Sequence, residues 1–240
     1  KAIKLHAQRL TKGLKVLQIP LPKEDLQRML QSYLDKMLHF SAMQEGVLKI
    51  VISRGDTARG YGFNKNYKSV VTAFFSEKQN YPKDCYQQGV ALQWVNTLCS
   101  VQPQLAGLKH LNRLENVLAR NEVMRPFYEG LMSNYLGDVI EGTMSNIFFE
   151  KDSVLYTPDL AVSGVAGVMR RLVLDYCQKE SILVSIENIN QQNIKLYDGA
   201  FICNSLMGAM PVKSIEKQEL IMTPLIKKIM AAAVSGKIYE

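Results

Sequence analysis

Two side chains in the stretch from Leu105 to Phe149 have placements suited to amine and carboxylate chemistry. Lys109 opens a segment whose apolar residues Leu111, Leu114, Val117 and Leu118 recur at helical spacing, which predicts a helix with the lysine at its N-terminus. The partial positive charge of a helix start disfavours an ammonium ion there and lowers its pKa, which makes Lys109 a candidate Schiff-base former. A surface amine is the plainer reading. Glu141 stands in Glu-Gly-Thr-Met-Ser-Asn at 141–146, between apolar runs at 130–140 and 147–149. That pattern predicts a strand, a tight turn at Gly137-Asp138, a second strand and a corner that turns Glu141, Thr143, Ser145 and Asn146 toward a cleft. A solvated turn acid is the alternative for Glu141.

The elements that must hold these groups belong to a chain of 240 residues, 47% hydrophobic and 21% charged, the make-up of a globular protein with a sizeable core. Its net charge of +7 admits nucleic acid, an anionic membrane surface or anionic small molecules as partners. The basic residues are scattered, apart from Lys1, Lys4, Arg9, Lys12 and Lys15, and no basic run interleaves with aromatics. A solvated basic face is therefore expected, and no nucleic-acid partner. No apolar run is long enough to span a membrane. Cys85, Cys99, Cys177 and Cys203 form neither a Cys-x-x-Cys pair nor a zinc spacing, so they read as reduced, mostly buried thiols of a cytoplasmic protein with no metal site.

Taken in order, Lys1 to Leu17 predicts a first helix on Ile3, Leu10, Leu14 and Leu17, with Arg9 as a solvent-facing charge. Leu21-Pro22 opens a second, whose stripe runs from Leu26 through Met29, Leu30, Tyr33, Leu34 and Met37 to Leu38. Val47 to Ile52 reads as a buried strand, in which Lys49 either snorkels or has a job. The following Ser53-Arg54-Gly55-Asp56-Thr57-Ala58-Arg59-Gly60 reads as a mobile surface loop. Val70 to Phe75 is a strand, and turn formers then cluster. The expected division is a small domain at 1–78, a linker at 79–84 and a large domain at 85–240. Strands are expected at 89–95, 182–186 and 200–203. Tyr156 to Asp159 is expected as a turn, Ser163-Gly164 as the entry to a helix that Ser163 caps, and Thr223-Pro224 as the start of a closing helix. Alternating strands and helices indicate a two-domain, mixed α/β or α+β protein.

Five stretches resemble one family in its own order: Ile52 to Tyr61 (ISRGDTARGY), Gly-Leu-Lys-His-Leu-Asn-Arg at 107–113, Glu-Gly-Thr-Met-Ser-Asn-Ile-Phe at 141–148, Ser163 to Arg171 (SGVAGVMRR) and Cys203 to Val212 (CNSLMGAMPV). Together they resemble the fold-type IV pyridoxal phosphate (PLP) enzymes, the aminotransferase class IV family, and among these the aminodeoxychorismate lyases. The resemblance implies the D-amino acid aminotransferase-like fold, with a barrel-like sheet in the larger C-terminal domain, a homodimer, and an active site between the domains. It implies that the family's first strands, with a catalytic threonine, precede Lys1.

By the same resemblance Lys109 holds PLP and acts as base, Glu141 faces the pyridine nitrogen, and Ser145 and Asn146 belong to the cofactor site. Arg9, the amides of Val165 and Ala166, and Asn204 with Ser205 bind the phosphate. Lys49 and Arg59 bind the two carboxylates of aminodeoxychorismate, a dianion that a pair of fixed cations would orient. The implied activity is elimination of pyruvate from aminodeoxychorismate to give 4-aminobenzoate, in folate biosynthesis. The alternatives are a D- or branched-chain amino acid aminotransferase of the same fold and a PLP-binding protein without activity.

Overall fold

The structure is a computed structural model that describes residues 2–40, 45–57, 59–63 and 67–240. Lys1, counted in the first helix and its basic cluster, and Ala58, counted in the arginine-bearing loop, lie outside the described residues. The chain divides into two compact units, Lys1–Asn80 and Tyr81–Glu240.

In the first unit, helices α1 (Ile3–Val16) and α2 (Leu26–Phe40) accompany an antiparallel pair, β1 (Gly46–Ser53) and β2 (Val70–Glu77). Ala7, Leu14, Leu26, Met29, Leu30 and Ile52 form its core. Helix α2 begins at Leu26 rather than beside Pro22. The Asp25 carboxylate accepts the Arg28 amide at 3.0 Å and so caps the helix, leaving Pro22 and Glu24 outside. Leu38, at the end of the predicted stripe, is 52% exposed.

In the second unit, α3 (Lys83–Gln87), β3 (Val90–Trp94), α4 (Leu114–Glu122), β4 (Glu129–Ser133), β5 (Asp138–Gly142), β6 (Asn146–Lys151), β7 (Val154–Pro158), α5 (Val168–Lys179), β8 (Val184–Glu187), β9 (Ile189–Asn190), β10 (Gly199–Asn204), β11 (Gly208–Ile215), β12 (Gln218–Glu219) and α6 (Pro224–Ser235) follow one another. Their ten strands form one mixed sheet in the order β8-β7-β6-β10-β11-β3-β4-β5-β9, with β12 on β11. The pairs β3–β4, β11–β3 and β7–β8 are parallel. Central strand β6 is buried on both faces, and its Phe148 stacks on Phe201 of the neighbouring β10 at 4.9 Å. Helices α5 and α6 both pack against β10, with α5 burying Val168, Met169, Leu172, Val173, Tyr176 and Cys177. The Thr223 hydroxyl caps α6 ahead of Pro224, as its sequence signature predicts. Tyr156 to Pro158 belongs to β7 and is not a turn. The chain turns after it, where the Asp159 carboxylate accepts the Ala161 amide at 3.0 Å.

Candidate active site

Strands β4 and β5 are joined by the 134–137 turn, in which Gly137 takes a φ of 82° and the Asn134 side chain accepts the amides of Leu136 and Asp138. Near the end of β5, opposite Met132, stands Glu141, buried to 4% exposure. Its Oε2 accepts the Val165 amide at 2.8 Å and the Asn146 side-chain amide at 3.5 Å. No hydrogen bond among the described residues falls on Oε1. Burial pushes the carboxyl up to about 7, against the opposing pull of the Val165 amide and of the charges on Arg113 and Lys109. A carboxyl this far from its ordinary range is a mark of a functional site.

The corner after Glu141 is built on a second acid. Glu129 is fully buried; its Oε1 accepts the Gly130 amide (3.0 Å), the Thr143 amide (3.2 Å) and the Thr143 hydroxyl (2.5 Å), and its Oε2 accepts the Ser145 hydroxyl at 3.1 Å. Ser145, expected at the cofactor, thus spends its hydroxyl on Glu129. A Cβ on Gly142 would lie 2.4 Å from the Ser145 oxygen, so only glycine fits there. Asn146 bridges onward, donating to the Val165 carbonyl at 2.8 Å, and its Oδ1 would lie 2.2 Å from a Cβ on Gly167.

Lys109 is exposed and lies in a loop, five residues before α4 begins at Leu114. The expected helix start at Lys109 is therefore corrected, and the dipole argument built on it falls. The repeat Leu111, Leu114, Val117 and Leu118 exists but faces outward, each residue being at least 60% exposed. Polar side chains tie α4 inward instead. Glu115 accepts the Ser100 amide and hydroxyl, Asn116 donates to the Thr143 carbonyl, and Glu122 accepts the amides of Asn96 and Thr97.

The lysine's neighbour Gly107 makes a parallel bridge with Val165, through Gly107 amide to Gly164 carbonyl (2.9 Å) and Ala166 amide to Gly107 carbonyl (3.1 Å). The amides of Val165 and Ala166, expected to meet phosphate, are consequently committed to Glu141 and Gly107. Neither lies at the helix start: α5 begins at Val168 after Gly167, with no side-chain cap. The amides that this helix start leaves without intrahelical partners are those of Gly167, Val168, Met169 and Arg170. Ser163 does not cap that helix; its hydroxyl donates to the Ser100 carbonyl at 3.0 Å.

Asn204 folds the β10–β11 turn, its Oδ1 accepting the amides of Leu206 and Met207, while its Nδ2 donates to the Met144 carbonyl at 3.1 Å. That last bond ties the turn, with exposed Ser205, to the corner beyond Glu141. In the first unit, Arg9 Nη2 lies 3.4 Å from His6 Nδ1, and burial lowers its pKa. The Lys49 amine sits over the ring of its cross-strand neighbour Phe74, 5.4 Å from the centroid. Arg59 is exposed, whereas Arg54 of the same loop donates to the carbonyls of Leu17 and Gln18.

Sequence reasoning missed Glu129 and the polar inner face of α4. Glu115, Ala119 and Glu122 recur at helical spacing opposite the apolar repeat, and that stripe was a readable signal. Glu129 offers no such cue, since one acid before an apolar run looks like any strand end.

Across residues 2–215 the sequence matches the amino-transferase class IV family. An aminodeoxychorismate lyase from Vibrio harveyi is 38% identical over 217 residues, 89% of this chain and 78% of that one. The crystal structure of 4-amino-4-deoxychorismate lyase from Pseudomonas aeruginosa superposes with a TM-score of 0.89 at 34% identity, over 95% of this chain and 83% of that one. A branched-chain amino acid aminotransferase from Escherichia coli shares the fold at a TM-score of 0.86 and 21% identity, over 98% and 78% of the two chains.

Proposed function

The chain belongs to the amino-transferase class IV family, and from that premise we propose that it is an aminodeoxychorismate lyase, which converts 4-amino-4-deoxychorismate to 4-aminobenzoate and pyruvate with pyridoxal phosphate as cofactor. The observation that carries the reading is Glu141: a buried carboxylate with one oxygen unbonded among the described residues, close enough to Lys109 for the lysine's charge to act on it. The residues fit the cofactor. A carboxylate whose Oε1 lacks a donor suits a protonated pyridine nitrogen, and a ring cation beside it would return the carboxyl to its ionised form. The start of α5, with the amides of Val168 and Met169 and no competing cap, suits a phosphate, and Ser205 adds a hydroxyl. Arg9, in the first unit, is a charged donor of the kind that suits a phosphate.

When bound, pyridoxal phosphate supplies the sink for the electron pair left on C4 of the substrate. Lys109 would hold the cofactor, and its free amine would take the C4 proton of the substrate. The C3–oxygen bond would then break, the ring would become aromatic, and the departing enolpyruvate would take a proton at its methylene carbon, for which the Lys109 ammonium is one candidate donor beside the family's threonine. Lys49 and Arg59 would hold the two carboxylates. A homodimer is part of the proposal: the outward repeat on α4 is an apolar face of the kind a second copy covers.

The test is to supply PLP and enzymatically generated aminodeoxychorismate, and to follow both products. Equal amounts of 4-aminobenzoate and pyruvate, without an added keto acid, are expected. Amino transfer to a keto acid, with neither product formed, would sink the lyase reading. In Lys109→Ala, activity is expected to fall at least about 10³-fold, with no borohydride-stable cofactor attachment.

A further inference from the structure

From Leu108 to Arg113 the loop that carries Lys109 has no regular secondary structure, so no ladder of backbone bonds fixes the direction of the lysine. Arg113 acts in its place from four residues downstream. Its Nη2 donates to the Leu108 carbonyl at 2.6 Å and lies 3.3 Å from Nε2 of His110. The two hydrogens of one nitrogen therefore reach the residues on either side of Lys109. A guanidinium only donates, so Nε2 of His110 accepts and the ring proton sits on Nδ1. Burial and the guanidinium charge both lower the His110 pKa, which keeps the ring neutral and able to accept.

Arg113 is itself braced. Its side chain is 20% exposed, and Nη1 lies 3.9 Å from the Glu115 carboxylate, which is bonded to the Ser100 amide and hydroxyl. His110, Arg113, Glu115, Ser100 and Ser163 share the wall of a cavity of about 290 Å³. The guanidinium charge of Arg113 reaches Glu141, where it favours the carboxylate.

We propose that Arg113 is a positioning residue for Lys109, fixing the backbone on both sides of the lysine, and thereby the direction of its amine, through the paired bonds to Leu108 and His110. The proposal rests on the reading of Lys109 as the cofactor lysine.

The experiment compares the parent protein with Arg113→Met and Arg113→Lys, each checked for folding by circular dichroism. Without cofactor, amide hydrogen exchange is measured over 107–110. Free pyridoxal, which makes no use of the phosphate site, is then trapped at Lys109 with borohydride and quantified by peptide mass spectrometry. Finally kcat and KM for aminodeoxychorismate are measured with PLP. In Arg113→Met, exchange over 107–110 is expected to rise and trapping to slow by about 10-fold, while kcat falls about 10–100-fold at nearly constant KM, as misaiming of a reacting group predicts. Arg113→Lys keeps the charge but not the fork, and is expected to recover only part of the trapping rate. Parent-like exchange and trapping in either folded variant would overturn the proposal, as would a raised KM at unchanged kcat, which would make Arg113 a substrate contact. Should Arg113→Met not fold, Arg113→Lys decides alone. Failure of the underlying reading has a different signature: the parent protein itself traps no pyridoxal at Lys109.

Discussion

Glu129 and Glu141 lie on adjacent strands of one sheet, both buried, and the protein treats them in opposite ways. Glu129 receives two backbone amides, two hydroxyls and, at 3.4 Å, the Arg120 guanidinium, so its charge is fully partnered. Glu141 receives one backbone amide and one long side-chain amide, both on the same oxygen. Burial without enough donors costs a charge more than burial with them. The first acid is a structural pin for the 143–145 corner. The second has an oxygen, Oε1, on which no hydrogen bond among the described residues falls. A deficit of partners, more than burial, sets Glu141 apart from Glu129 and is what recommends it for the proposed cofactor role.

That contrast can be broken in several ways. Glu129→Ala strands the Gly130 and Thr143 amides and two hydroxyls, and is expected to lower unfolding free energy by about 3–5 kcal/mol in urea titration. If instead it leaves stability intact and removes activity, Glu129 is no pin. Next in size is a pH effect on the cofactor-free protein. Because the folded chain holds the Glu141 proton up to about 7 and the unfolded chain releases it near 4.5, stability should fall as pH rises between those values, by on the order of 3 kcal/mol, and level off above. Glu141→Gln should flatten that slope, and a slope that survives the substitution belongs to another group. The same variant in PLP-loaded form is expected to lose about 100-fold in kcat, the scale of removing one preorganised electrostatic partner, with the fold intact by circular dichroism. Ser145→Ala should be the mildest, costing about 1 kcal/mol of stability and little turnover. A large loss of kcat there would return Ser145 to the chemistry.

Much of this was legible from local sequence. The 134–137 turn, the Thr223-Pro224 helix start and the stripe of α2 each follow from side chains acting on their own backbone or on the next turn. What was misread depended on distant partners. Helical spacing at Leu114, Val117 and Leu118 gave a true helix face, which Leu111 precedes, but not the direction it points, because periodicity fixes phase and not sidedness. The start of α5 was misplaced by four residues, from a cap at Ser163 to one at Gly167, since Val165 and Ala166 are pulled straight by their bonds to Glu141 and Gly107. Strand β11 went unread; its Pro211 lies beside an irregularity in the pairing with β3, where a missing amide is tolerated.

The pairing of β3 with β11 has a consequence for synthesis. Strand β3 lies between β4, which follows it closely, and β11, whose Val212 aligns with Val90. At ordinary translation rates the chain that completes this contact leaves the ribosome roughly 6–25 s after β3 itself. During that interval β3 has an unclosed flank, open to any other strand it meets. Slowing elongation between β3 and β11 should therefore lower the soluble yield of newly made protein without changing the stability of molecules that have finished folding.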